Sequence, residues 1–109
     1  MWGICSLCES QLSQRAIEYQ IKDNNTAVIL QPASNIEIDI KYIKAIDAPP
    51  KFKYGDSVSP ADHIYKKGRI RDIIWHGKTH KFNYYIEIDN KKVSRRYYAE
   101  ELIRTEDGL

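Results

Sequence analysis

The chain has 109 residues, 42% of them hydrophobic and 29% charged, with a formal net charge of +2. That length supports one modest core or two very small units, because two separate cores of this size are each marginal. No apolar run approaches the roughly 20 residues needed to span a bilayer, and Met1-Trp2-Gly3-Ile4-Cys5 lacks the basic start of a secretory leader, so a soluble cytoplasmic protein is expected.

In chain order, the first expected element is a short helix over residues 2–13, since Trp2, Cys5, Cys8 and Leu12 recur at three- and four-residue intervals. Strict alternation follows. Ile17, Tyr19 and Ile21 share one side of a strand, and Asp23-Asn24-Asn25 supplies turn chemistry. Thr26–Gln31 reads as a second strand with Val28 and Leu30 on one side, and Pro32 to Asn35 turns the chain. Ile36, Ile38, Ile40 and Tyr42 alternate with Glu37, Asp39 and Lys41, a third strand with one dry face. Ile43 and Ile46 break that phase, so the strand bends or ends there. Residues 1–47 thus read as a short helix plus a three-stranded meander. Pro49 and Pro50 mark a linker over 48–51, because proline cannot serve a central strand.

The second unit, 52–109, opens with Tyr54-Gly55-Asp56-Ser57-Val58, a turn feeding a strand. Pro60 to Tyr65 is a loop. A long strand begins at Gly68, where Ile70 and Ile73 stand three apart. Alternation fails near Asp72, and a bulge there would bend the strand and put Ile70, Ile73 and Trp75 on one face. Phe82, Tyr84, Ile86 and Ile88 alternate cleanly with Asn83, Tyr85, Glu87 and Asp89, and Asp89-Asn90 makes a tight hairpin turn. Val93 and Tyr97 return on the next strand. Tyr98-Ala99-Glu100-Glu101-Leu102 has the pattern of one helical turn before a last strand.

The series Tyr54-Gly55-Asp56-Ser57-Val58, Lys67-Gly68-Arg69-Ile70, the aromatic hairpin and Tyr98-Ala99-Glu100-Glu101-Leu102 resembles an SH3-like or Tudor-like small antiparallel β-barrel, over about half the chain. Standalone bacterial proteins of this general pattern include immunity proteins that neutralise toxins. The resemblance implies a mainly β binding module and supplies no ligand. The first half offers the further reading of a second, degenerate barrel, since Ile17–Lys22 with its turn echoes Tyr84–Asp89 with its own.

Charge is unevenly placed. Residues 1–50 carry four basic and six acidic side chains, residues 51–98 twelve basic and five acidic, and the stretch from Ala99 one basic and four acidic. A basic middle is a candidate anion-facing surface. An ordinary solvated β surface that uses Lys and Arg against edge pairing accounts for the same charges. Nine of the twelve aromatics lie after residue 50. Neighbours in a strand face opposite ways, so Tyr85 and one of Tyr97 and Tyr98 are expected to face outward.

Cys5-x-x-Cys8 can supply half of a tetrahedral zinc site, with His76 and His80 as the other half. Two small apolar side chains on a buried face are the plainer reading. Neither a phosphate loop nor a nucleophile elbow is present. A non-catalytic protein without cofactor or metal is therefore expected. The leading expectation is a protein-binding module of the immunity or inhibitor type that occludes a cognate toxin or nuclease. Its contacts would be Tyr85, Arg95, Arg96, Tyr98, Glu100, Glu101, Arg71 and His76, with acidic patches around Glu37, Asp39, Glu100 and Glu101 available to face a basic nuclease-type partner. The alternative is an RNA- or DNA-binding barrel that adds Lys66, Lys67, Arg69, Lys91 and Lys92.

Overall fold

A computed structural model describes residues 1–5 and 15–105. The protein is mainly β and forms two compact units, Met1–Pro49 and Pro50–Leu109. Among the described residues no helix is long and apolar enough to cross a membrane.

The first unit is a five-stranded antiparallel sheet of β1 (Trp2–Cys5), β2 (Ile17–Ile21), β3 (Thr26–Gln31), β4 (Ile36–Asp39) and β5 (Ile43–Ala45), in the spatial order β4-β3-β2-β1-β5. Its core gathers Cys5, Ile17, Tyr19, Ala27 and Ile29, with Ile38, Ile40 and Ile43 packed against them. Three expectations need correction. Trp2–Cys5 is a strand, not the start of a helix; the rest of the expected helix, with Cys8 and Leu12, lies outside the described residues. Trp2, Gly3 and Cys5 are buried and Ile4 is half-buried, so both faces of this short strand are largely covered and its spacing mimics a helical stripe. Gly3 permits that close packing, because a Cβ there would stand 2.8 Å from Lys44 O. On β3 the buried side is Ala27 and Ile29, whereas Leu30 is exposed. Finally, β4 stops at Asp39, whose side chain accepts from Lys41 N and caps a single 3-10 turn, Ile40–Tyr42. That turn redirects the chain so that β5 pairs with β1 and makes five strands where three were expected.

The second unit contains β6 (Ser57–Pro60), β7 (Gly68–His76), β8 (Lys81–Ile88), β9 (Lys91–Lys92) and β10 (Leu102–Arg104), in the order β10-β6-β7-β8-β9. A 3-10 turn, Ala99–Glu101, directly precedes β10. Strand order and the position of this turn are therefore the same in both units. The β7–β8 register shifts between Ile70 and Asp72, as the spacing of the isoleucines predicts, and Ile70 and Ile73 both reach the core. Asp89 and Asn90 take positive φ values of 53° and 62°, which close the β8–β9 hairpin. Phe52 meets Tyr84 edge-on, with centroids 5.4 Å apart, inside a core that also holds Val58, Ile86, Tyr97 and Leu102. Tyr84 fills the centre. Its hydroxyl accepts a hydrogen bond from Lys51 N at 2.9 Å, which ties the start of the unit to β8.

Candidate functional site

On β8, period-two alternation sends Tyr84 and Ile86 into the core and leaves Lys81, Asn83, Tyr85 and Glu87 on the other face. The register sets His76 beside Lys81, Ile74 beside Asn83 and Asp72 beside Tyr85. On the opposite edge, β9 brings Lys92 next to Glu87. The chain then returns to pair Tyr97 with Tyr84. This last pairing runs antiparallel, so it carries Arg96 toward Tyr85 and Tyr98 toward Asn83. One face of the second unit thus collects Tyr85, Arg96, Tyr98 and His76 from the expected protein contacts, and Lys92 and Arg69, which stand on either side of Glu87, from the nucleic-acid set.

Two cations sit over two rings on this face. Lys92 Nζ lies 4.9 Å from the Tyr85 ring centre, and Lys81 Nζ lies 5.4 Å from that of Tyr98. At exposed sites each such contact is worth about 0.5–1 kcal/mol, enough to bias the side chains toward one arrangement without locking them. Tyr98 is 36% exposed. Asn83 is only 1% exposed, and its Nδ2 has no hydrogen-bond partner. The exposed part of the face therefore offers the cationic groups of Lys81, Lys92 and Arg96 and flat aromatic area, with Glu87 among them, a mainly positive set suited to docking an acidic surface; Asn83 lies beneath it, out of a partner's reach.

Arg95 takes a different course from Arg96. Its guanidinium stacks on the Tyr97 ring at 4.5 Å, bonds Glu101 Oε2 at 3.0 Å and reaches Asp62 Oδ2 at 3.7 Å. The other Glu101 oxygen accepts from Tyr98 N at 2.8 Å. That backbone bond, followed by Arg95, holds the Glu101 carboxyl below its ordinary pKa. The His63 side chain, first, and then Arg95 do the same for Asp62. Arg95 and Glu101, both partly exposed, thus also brace this edge of the unit. Glu100 is exposed on the 3-10 turn, and Arg71 is the exposed extra residue of the β7 bulge.

The remaining expected residues scatter. Lys66 and Lys91 are exposed. Lys67 and Arg69 line a shallow groove of about 310 Å³ with Glu87, Asp89 and Asn90. The two acids there offset the two bases, so that groove carries no strong field. Cys5 is buried in the core of the first unit, and Cys8 lies outside the described residues. His80 sets Nδ1 3.0 Å from Gly77 O and packs its ring on Trp75. Among the described residues no group of three His, Cys, Asp or Glu could hold a metal ion.

Lys81 and Asn83 were not among the sequence candidates. The alternation that places Tyr85 outward places both on the same side, so that signal was available. Their nearness to Tyr98 depends on the Tyr84–Tyr97 pairing, which no local pattern encodes.

No curated protein and no solved structure matches the chain. Residues 13–103, which span both units, match one family along nearly the whole sequence: the chain belongs to DUF6960, a family of unknown function.

Proposed function

We propose that this chain is a non-catalytic protein-binding module of the immunity or inhibitor type, which docks through the Tyr85–Tyr98 face of the second unit and occludes the active surface of one cognate protein. The observation that carries the reading is the convergence of Tyr85, Tyr98, Arg96, Lys81 and Lys92 on one side of the sheet, with two cations already over two rings. Tyrosine and arginine are enriched at protein interfaces and among their hot spots. The charge of the face calls for an acidic surface opposite, and such complementarity speeds association. An acidic docking patch on this chain has less support, because Glu101 is tied to Arg95 and Glu37 to Lys22. We read the second unit as an SH3-like barrel on its strand order, with the last strand beside the first and a 3-10 turn before it. The first unit, with the same order, is read as a second copy.

A second reading has the same face bind single-stranded RNA or DNA, with phosphates on the lysines and bases on the tyrosines. The pairing of ring with ammonium favours it. Affinity capture from native lysate, with and without nuclease, separates the two. A protein that stays bound after nuclease treatment and in raised salt supports protein docking, and its loss on Arg96→Glu assigns the face. Capture of RNA that collapses as salt rises supports the second reading. Retention of the partner by Arg96→Glu together with Tyr98→Ala sinks the proposed face.

A further inference from the structure

We infer that the loop between β6 and β7 is a second docking element: Ile64 and Tyr65 at its tip plug an apolar pocket, rimmed by carboxylates, on the protein partner. The inference rests on the protein-binding reading above. Ile64 is 63% exposed and Tyr65 is 74% exposed, and they are adjacent in the chain. Scattered surface apolar residues need no explanation, but neighbouring large ones on an exposed turn form a candidate anchor.

The turn is held from beneath. His63 N donates to Pro60 O at 3.0 Å, Lys66 N donates to His63 O at 3.0 Å, and Ala61 N donates to Glu101 O at 2.8 Å. Asp62 is gripped by His63 Nδ1 at 3.2 Å and by Arg95 at 3.7 Å, and Arg95 in turn bonds Glu101. The His63 ring meets the Tyr65 ring edge-on at 5.8 Å. A loop braced in this way has already lost much of the freedom that binding would otherwise remove, which raises the affinity an anchor can deliver. The braces spend the loop's own carboxylate on internal contacts, and Lys66 and Lys67 follow the tip as exposed cations. The tip is therefore apolar with a positive flank, and its complement is an apolar pocket with a negative rim. A lipid surface would satisfy the same chemistry less well. Two side chains bury little hydrocarbon, and even one myristoyl chain holds a protein on a bilayer only marginally.

The test uses the full chain with the photocrosslinking residue p-benzoylphenylalanine at position 65 and, separately, at position 98, irradiated in native lysate. A protein linked at either position is purified, and its affinity for the unmodified chain and for the Ile64→Ser/Tyr65→Ser double variant is measured by calorimetry. The expected result is linkage at position 65 to an apolar segment flanked by Asp or Glu. The double variant should lose roughly 30-fold or more in affinity with its unfolding midpoint unchanged. Linkage at position 98 alone, or affinity held within about threefold, overturns the loop's role and leaves the docking face standing. Linkage at position 65 alone with the expected loss supports the loop and overturns the face; linkage at neither overturns both. Co-sedimentation with phosphatidylglycerol vesicles that the double variant abolishes makes the loop a lipid anchor and overturns the inference.

Discussion

Tyr84 and Tyr97 exchange a reciprocal pair of backbone hydrogen bonds: Tyr84 N donates to Tyr97 O at 2.8 Å, and Tyr97 N donates to Tyr84 O at 2.9 Å. Outside the named strands this one bridge sets the face. It seats both rings in the core and turns Arg96 and Tyr98 toward the side that carries Tyr85. The neighbouring arginine, at 95, is turned the other way and becomes a brace.

The two arginines should accordingly behave differently. Arg95→Glu sets a carboxylate beside Asp62 and Glu101, and should lower the unfolding midpoint. Arg96→Glu should leave the midpoint unchanged and weaken partner binding roughly fivefold or more. Thermal unfolding by circular dichroism, beside calorimetric titration of the partner, reads both effects. Equal midpoints for the two variants would refute the division of roles.

Tyr84→Phe removes the acceptor that satisfies Lys51 N–H and should destabilise the second unit by about 1–2 kcal/mol in urea unfolding. Burial pushes the Tyr84 phenol above its ordinary 10.0. A group whose pKa is raised in the folded state favours folding below its unfolded pKa, and that contribution is lost as pH rises. Stability should therefore decline above about pH 10, and less steeply in Tyr84→Phe. An identical alkaline slope in both proteins would contradict this account.

Glu101 and Asp62 have lowered pKa values, relative to ordinary values of 4.5 and 3.8. A lowered carboxyl favours folding above its unfolded pKa, and the contribution disappears as pH falls through the folded value. Unfolding free energy should thus drop as the pH is taken below about 4.5. Glu101→Gln keeps an acceptor for Tyr98 N but loses the charge, so its curve should be flatter in that range. Urea unfolding at a series of pH values between neutral and 3 is the check.

Gly68→Ala should destabilise by about 1–3 kcal/mol, because the added Cβ would stand 2.5 Å from Glu87 O and force β7 away from β8. Gly77→Ala is the control: its nearest neighbour would be Trp75 Nε1 at 3.7 Å, an ordinary contact. Comparable losses in the two variants would remove close strand approach as the cause.

Much of the second unit is legible in the amino-acid sequence because its signals are local. Alternation from Phe82 to Ile88, the broken phase near Asp72, the Asp89-Asn90 turn and the short helical turn after Tyr98 all appear at their expected positions. The first unit is harder. Trp2–Cys5 is largely covered on both faces and so leaves little alternation to read. The pairing of β1 with β5 joins segments almost forty residues apart in sequence. Of the site, Tyr85 outward follows from alternation alone. The split between Arg95 and Arg96 does not, since two adjacent arginines read alike until Asp62 and Glu101 are brought to one of them.

The strand-rich character of the chain, the places where it turns and the β8 side chains that face away from the core follow from local amino-acid pattern, because each depends on neighbours two to four residues away. That each sheet carries five strands in the same order, that Tyr98 meets Lys81, and that Glu101 pairs with Arg95 emerge only in the folded chain. Those outcomes depend on backbone hydrogen bonds and ion pairs between segments distant in the chain, and such partners are chosen by the folded core as a whole and not by the residues beside them.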